Sequence, residues 1–539
     1  MKNKLISLIL SAVFIVGCSE DNLDLKPGAV TEEVFYENTA AFDAAVFGAY
    51  AKLVWLYTNT VCCSGWGTTV NASQRLILMA DDDLTNRDID NVDVYLLNAN
   101  EGRVRDAFQR VYETVFRANV VLSKLEEKKA SVIAAGNMTE ADARRIRGEA
   151  LFLRAYSYYL AYNLWETAPI VNQRFTSFGE ITTPNAAPKD LLDLVVKDCD
   201  EAEELLPVGP KGWNDNNRGR VTSGGAKILL GKALLLRAAL GSQADYATAA
   251  TKLAEIEPQG YQLMPDFGDN FRLLKENNEE SLFELQFGAS PAFSNGFLDP
   301  DFFEVVGTLA GNRSFFQIGG PTSGGGKGIP TRPLQAAFAA ADPRRPWTLY
   351  QNGDPIGSKG TYNGAVSPTG AHVTKYLKEN GFDVTGNHAG ATDGVDYNNE
   401  RVFRLSDALL MRAEALLESG APTQDVIALL NRIRARARTT PVGGNPSSAV
   451  PADLGLTETN RGVIHQLIRD ERRRELAFEG HRLFDLKRWH RAGKINLTTF
   501  TKEQWGALEN VTWKPANIRF PFPQDELNIN PGLKQNEGY

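Results

Sequence analysis

The densest chemistry in this sequence lies in Ile468–Trp489, IRDERRRELAFEGHRLFDLKRW. So many Glu and Arg in one stretch could supply paired carboxylates for acid–base catalysis. The same residues serve a structural network equally well. Glu471 can meet Arg474, or Glu475 can meet Arg472, one turn away. Because acid and base alternate so densely here, the stretch is read as an ion-pair network between two helices, which also perturbs titrations. Other catalytic patterns are missing. The chain has no His-Glu-x-x-His metal helix and no Gly-x-Ser-x-Gly nucleophile turn. The run Gly324-Gly-Gly-Lys327-Gly328 is no phosphate loop, because Pro321 replaces its first glycine and Gly328 replaces the magnesium-holding hydroxyl residue. The histidines are scattered; His481 and His490 are the one spaced pair, and they read as surface positions on a helix rather than metal ligands.

Asp81, Asp82 and Asp83 with Asn86, Asp88 and Asp90 form the one carboxylate cluster dense enough to suggest calcium. It lacks the glycine and terminal glutamate of an EF-hand, so capping or hydroxyl binding is preferred and no metal is assigned. A sugar site needs an aromatic plate against the apolar face of a pyranose, with carboxylates, amides or arginines for its hydroxyls. The segment from Tyr57 to Tyr95 offers Trp66, Asp82, Asp83, Asn86 and Arg87 between two helices.

These residues must be held by helices. Val463, Ile464, Leu467 and Ile468 lead into the charged stretch at spacings of three and four, Gly480 breaks it, and Leu483, Phe484 and Leu486 resume it. That pattern is helix, tight turn, helix. Phe42, Val46, Tyr50, Leu53 and Tyr57 mark an earlier helix, and Phe108, Tyr112, Val115, Asn119, Leu122 and Leu125 mark one over 102–128. Thr139 can cap the next, which runs to Trp165 and stops before Pro169. A weak repeat of apolar residues, a basic residue and Ala recurs at Ala150–Ala155, Ile228–Ala233 and Ala408–Ala413. Four helical hairpins follow: 42–57 with 102–128, 140–165 with 189–206, 222–240 with 244–256, and 403–419 with 423–438. Between Pro258 and Asn399 glycine, proline and asparagine rise, and only short strand-like runs remain, such as Ser281–Phe287 and His372–Leu377. Loops this long are usually functional or disordered.

The N-terminus adds compartment. Lys2 and Lys4 precede an apolar run, Leu5–Val16, then Gly17 and Cys18. This has the form of a secretory signal peptide, too short to span a bilayer. Ile15-Val16-Gly17-Cys18 resembles a bacterial lipobox, which implies acylation of Cys18; the acidic residues just after it resemble a surface-export signal. Of Cys62, Cys63 and Cys199, one disulfide could form, as a vicinal bridge or through Cys199, or all could be free thiols. Composition agrees with a folded exported chain, 43% hydrophobic and 23% charged, and a net charge of −8 argues against nucleic acid.

The order of residues in 468–489 closely resembles the C-terminal signature of the SusD/RagB family of outer-membrane nutrient-binding lipoproteins. Asp342-Pro-Arg-Arg345, Lys375-Tyr376, Arg404-Leu-Ser-Asp-Ala-Leu-Leu-Met-Arg-Ala-Glu414 and the ending Phe520-Pro-Phe-Pro523…Asn530-Pro531…Gln535-Asn-Glu-Gly-Tyr539 resemble it too, with Glu537 where that family often has Pro. The resemblance implies a mainly α fold, a SusD-like α/α scaffold of four tetratricopeptide-like hairpins with a loop-rich C-terminal part carrying short strands. Its expected divisions are a signal peptide (1–17), a lipid anchor and tether (18–40), an N-terminal helical region (41–257) and a C-terminal region (258–539). Within the last, 258–399 is a loop-rich insertion and 400–494 holds the fourth hairpin and signature helices. The implied function is capture of an oligosaccharide at the cell surface and its delivery to a SusC-like TonB-dependent transporter, without catalysis or cofactor. In the family, such loops and the central non-repeat region build the ligand surface, so Trp66, Asp82, Asp83 and Asn86 are the expected glycan contacts, joined by Phe302 and Arg313. A peptide ligand in the same role and a surface glycosidase with paired carboxylates are the rival readings.

Overall fold

The computed structural model describes residues 32–57, 76–77, 83–84, 91–92, 94–175, 182–214, 217, 219–287, 329–355, 360–367, 369–375, 399–443, 449–499, 501–502 and 511–539. Helices of ten residues or more are numbered. The first hairpin is α1 (Thr39–Trp55) with α2 (Gly102–Ala134), and the second is α3 (Glu140–Trp165) with α4 (Pro188–Leu205). The third is α5 (Ser223–Ala239) with α6 (Ala244–Ala254), and the fourth is α7 (Leu405–Glu418) with α8 (Thr423–Thr439). The signature stretch forms α9 (Arg461–Glu475) and α10 (Arg482–Arg491). All four hairpins expected from periodicity therefore form, and each stacks on the next: α2 on α3, α4 on α5, α6 on α7.

Helix α3 is the centre of the stack. Thr139 and Asp142 close a capping box at its start, and every residue from Gly148 to Trp165 is buried. A helix apolar around its whole circumference belongs in a core, and α3 packs against α1, α2, α4 and α5. Its charged residues are matched. Arg154, the basic residue of the first repeat copy, makes a two-pronged bond to Asp198 of α4 at 2.7 and 2.8 Å. Lys232 in the second copy meets Asp407 of α7 at 2.6 Å. The repeat's basic position thus ties helix to helix, within a hairpin at Arg154 and between hairpins at Lys232.

The fourth hairpin stacks directly on the third although residues 258–399 intervene. Two strands make this possible. Chain order gives β1 (Asp83–Leu84), β2 (Ser281–Leu285), β3 (Ile329–Pro330), β4 (Leu349–Gln351), β5 (Ala371–Val373) and β6 (Glu400–Arg404). β2 and β6 pair antiparallel, Leu285 opposite Glu400 and Ser281 opposite Arg404, so the intervening segment leaves and returns at one point. A small second core of Phe267, Phe271, Leu334, Phe338, Trp347, Leu349, Val373, Ala477 and Phe478 ties it to the turn after α9. The C-terminal tail closes on the N-terminal half: Trp165 Nε1 donates to the Pro521 carbonyl at 2.9 Å, and Asn536 Nδ2 donates to the carbonyls of Trp165 and Phe520.

Some expectations need correction. Helix α2 extends to Ala134, a turn and a half beyond Lys128. The end of the stretch expected to be a tether forms a short helix over Glu32–Phe35, with Val34 and Phe35 exposed, and Tyr36 is buried against Phe42. Cys199 is a free, buried thiol, so no disulfide uses it; Cys62 and Cys63 lie outside the described residues. Among the described residues, no helix is long and apolar enough to cross a membrane.

Candidate functional site

The acid–base candidates resolve first. Glu475 is fully buried and accepts from three guanidinium groups: Arg404 at 2.6 Å, Arg344 at 3.1 Å, and Arg436. Arg344 also bonds Glu471 at 2.7 Å and Asp342 at 2.8 Å. Arg404 continues to Glu479 at 2.6 Å and to Glu280 at 2.8 Å, and Lys375 donates to Glu479 at 2.6 Å. Glu471 does meet Arg474, at 2.8 Å, but Glu475 does not meet Arg472. Arg472 turns instead to Asp407 and Asp485, both at 2.8 Å. The reason is tertiary: the arginines of Asp342–Arg345, β6 and α8 arrive on the Glu475 side of α9, and α10 arrives on the Arg472 side.

Burial pushes the Glu475 carboxyl up, but Arg436, Arg404 and Arg344 outweigh it and hold the group well below the usual carboxylate range. Glu471, equally buried, is brought down to about 2 by Arg344, Arg474 and Arg434. Carboxyls held ionised in this way cannot act as general acids near neutral pH. Burial lowers the Lys375 ammonium to about 8 even beside Glu479. The resemblance motifs between Asp342 and Trp489 enter this network or its neighbour through Asp342 and Arg344, Lys375, Arg404, Asp407 and Glu414, and residues of 471–489. They are scaffold.

His481 also departs from expectation. It is buried, not a surface residue, with Nε2 3.7 Å from Asp407. His490 is half-buried on α10. The two share no metal site, and among the described residues no group of His, Cys, Asp and Glu is placed to hold one.

Of the expected glycan contacts, Trp66, Asp82, Asn86, Phe302 and Arg313 lie outside the described residues, as does Cys18. Asp83 is described as backbone, in β1. There the structure adds something sequence could not supply. β1 pairs antiparallel with β3, Asp83 opposite Pro330 and Leu84 opposite Ile329. The segment carrying Asp82, Asp83 and Asn86 is thereby fastened to the end of the segment carrying Phe302 and Arg313, more than two hundred residues later.

The body also holds a small cleft of about 20 Å³, with Tyr57, Tyr156, Tyr159, Phe403, His481 and Phe484 among its walls. Tyr57 is the last residue before 58–75, Ile77 stands between 58–75 and 78–82, and Glu400 follows 376–398 soon after Asn399. Tyr156 and Tyr159 stack at 6.1 Å between centroids, and the hydroxyls of Tyr57 and Tyr156 lie 2.5 Å apart. Sequence reading missed the cleft. Its signal was present as Tyr156, Tyr158, Tyr159 and Tyr162, an unusual density of phenols on one helix.

With this geometry in place, known proteins can be compared. A SusD family model matches residues 327–539, and a second model, described as starch-binding and associating with the outer membrane, matches residues 68–223. This chain belongs to the SusD family. A SusD-like protein of Formosa agariphila is 25% identical over 99% of this chain and 100% of its own length. The starch-binding protein SusD of Bacteroides thetaiotaomicron is 24% identical over 75% of this chain and 74% of its own. Among solved structures, a laminarin-binding SusD-like protein matches with a TM-score of 0.66 and 23% identity, over 94% of this chain and 100% of that one. Since the SusD and second models straddle 224–326, the part they leave between them holds α5, α6 and the segment that carries Phe302 and Arg313.

Proposed function

We propose that this SusD-family protein captures an oligosaccharide at the cell surface and passes it to a SusC-like TonB-dependent transporter. Lipid on Cys18 would be its membrane attachment. The observation that carries the reading is the β1–β3 ladder, which pairs Asp83 and Leu84 with Pro330 and Ile329, next in the chain to the stretch that carries Phe302 and Arg313. One surface can then draw an aromatic plate and its polar partners from both. Support for the ligand class comes from relatives named for binding starch and laminarin and from the outer-membrane description of the matched model. Support for binding rather than hydrolysis comes from Glu471 and Glu475, whose ionised, guanidinium-bound carboxylates are unsuited to protonating a leaving group. Tethering a binding site beside a pore raises local ligand concentration without new chemistry.

The test is retention of the lipid-free protein (residues 19–539) by a polysaccharide panel and a peptide pool, with Trp66→Ala alongside and an assay for released reducing ends. Retention by one glycan, weakened by roughly tenfold or more in the variant as expected for loss of an aromatic platform, without cleavage, supports the proposal. Retention by peptides alone replaces the ligand class, and release of reducing ends overturns the non-enzymatic reading.

A further inference from the structure

The carboxyl end of α3 is closed by groups from two other parts of the chain. The last carbonyls of a helix lack partners inside it, and here three are taken in succession. Asn163 O accepts from Lys487 Nζ of α10 at 2.7 Å, Leu164 O from the Phe520 backbone N–H at 2.8 Å, and Trp165 O from Asn536 Nδ2 at 2.9 Å. The last two donors belong to the C-terminal tail, which also offers the Pro521 carbonyl to Trp165 Nε1. Lys487 lies against that tail. Its ammonium is 4.5 Å from the centre of the Phe520 ring, and both residues are buried.

Lys487 is set apart by the lack of a carboxylate against it. The other buried lysines among the described residues each have one: Glu127 is 2.7 Å from Lys124, Glu255 2.5 Å from Lys227, Asp407 2.6 Å from Lys232 and Glu479 2.6 Å from Lys375. Lys487 makes no ion pair with a described residue, and its three N–H groups share one carbonyl and one ring face. Two charged groups act on it from a distance. Glu166, just past the end of α3, attracts it, but one oxygen of that carboxylate already binds Arg491 of α10 and Arg519 of the tail. Arg491, one turn beyond Lys487, repels it. A helix end favours a cation, yet an ammonium with a single hydrogen bond loses more by leaving water than that attraction returns. Burial, opposed by Glu166 and reinforced by Arg491, brings Lys487 down to about 7.

We propose that Lys487 is a proton-operated release for the C-terminal tail: uncharged, it lets Phe520 close over the end of α3, and charged, it loosens residues 519–539 from that end. Protonation places a charge between Phe520 and Asn163. The tail is the side that can withdraw, because α3 is buried at every residue from Gly148 to Trp165. Withdrawal of Phe520 opens the ammonium to water, and with it go the bonds of Arg519 to Glu166 and of Pro521 and Asn536 to Trp165. The closed form binds the proton less readily than the open one, so it gains with rising pH between about 7 and ~10.5, the ordinary lysine value. None of these residues serves the proposed glycan capture.

The experiment is hydrogen exchange of the lipid-free chain (residues 19–539), read by mass spectrometry on peptides within 519–539 at pH 6.5 and 8.5 and corrected for intrinsic exchange. Protection reports the local opening equilibrium. With the ammonium at about 7 in the closed form and ~10.5 in the open one, tail protection should rise about twentyfold between the two pH values. Lys487→Met keeps the stem against Phe520 and removes the charge. Its tail should be protected equally at both pH values and, at pH 6.5, at least as well as the native tail. Lys487→Arg stays charged at both, so its tail should also lack the rise and exchange faster than the native tail at pH 8.5. A native tail equally protected at both pH values overturns the proposal whatever the variants do. A rise retained in either variant overturns it too, by assigning the titration to another group.

Discussion

Replacing Glu475 by Gln keeps the shape of the side chain and removes one negative charge from a site without water access. Three guanidinium groups, on Arg344, Arg404 and Arg436, then face an amide. Breaking one partner out of a buried ionic set costs about 3–5 kcal/mol, because the remaining charges stay buried without compensation. The unfolding entropy of a cooperative unit of about 500 residues is roughly 1 kcal/mol/K at ~2.1 cal/mol/K per residue. A loss of about 4 kcal/mol therefore lowers Tm by about 4 °C. Glu257→Gln is the control: its partner Arg432 is 45% exposed, and such surface pairs contribute about 0–1 kcal/mol, or ~1 °C at most. Calorimetry of both variants and the native chain at one scan rate decides the matter. Adding Arg436→Met to Glu475→Gln should cost less than the two changes summed, since the first has already taken one of the two carboxylate partners of Arg436, leaving Glu280 at 2.6 Å. If Glu475→Gln melts within ~1 °C of Glu257→Gln, the claim that this network holds the fold together is refuted.

Two further outcomes follow from the same structure. Stability should fall in two windows as acid is added: His481, with its pKa lowered to about 4 from 6.5, takes up a proton more readily when unfolded, so stability is lost between pH ~6.5 and ~4. Glu471, lowered to about 2 from 4.5, loses its contribution between pH ~4.5 and ~2; each window is worth about 3 kcal/mol in urea-unfolding free energy measured across pH, and a flat profile from 6.5 to 4 would contradict the burial of neutral His481. Gly148→Ala should destabilise by about 1–3 kcal/mol by overpacking, because a Cβ there would sit 2.9 Å from Leu206 Cγ and 3.0 Å from Leu205 Cβ where α3 crosses the end of α4; an unchanged urea midpoint would show that the crossing can relax.

The helices and their pairing were legible because their causes are local. Apolar residues at three and four, Thr139 with Asp142, and Gly480 between two amphipathic runs each specify an element without reference to the rest of the chain. The repeat at Ala150–Ala155, Ile228–Ala233 and Ala408–Ala413 showed which helices pair, and the tail and signature motifs showed the family. What local pattern could not show is where a charge ends up. Glu475 and Arg472 have the spacing of partners, yet the backbone delivers Arg404 and Arg436 to one and Asp407 to the other, and a buried ion binds whatever charge the tertiary fold places nearest. His481 has the composition of a surface helix around it and is nevertheless buried, because Lys232, Asp407 and Arg472 come from three separate helices to surround it. The candidate site divides in the same way. Sequence alone named Asp83 and the aromatic and polar residues around it as a binding segment, from residue types within one loop. The pairing of Asp83 with Pro330, and the meeting of Tyr57, Tyr159 and His481 around one cleft, join residues hundreds of positions apart. Contacts of that separation leave no periodic trace along the chain, so only the folded structure could decide them.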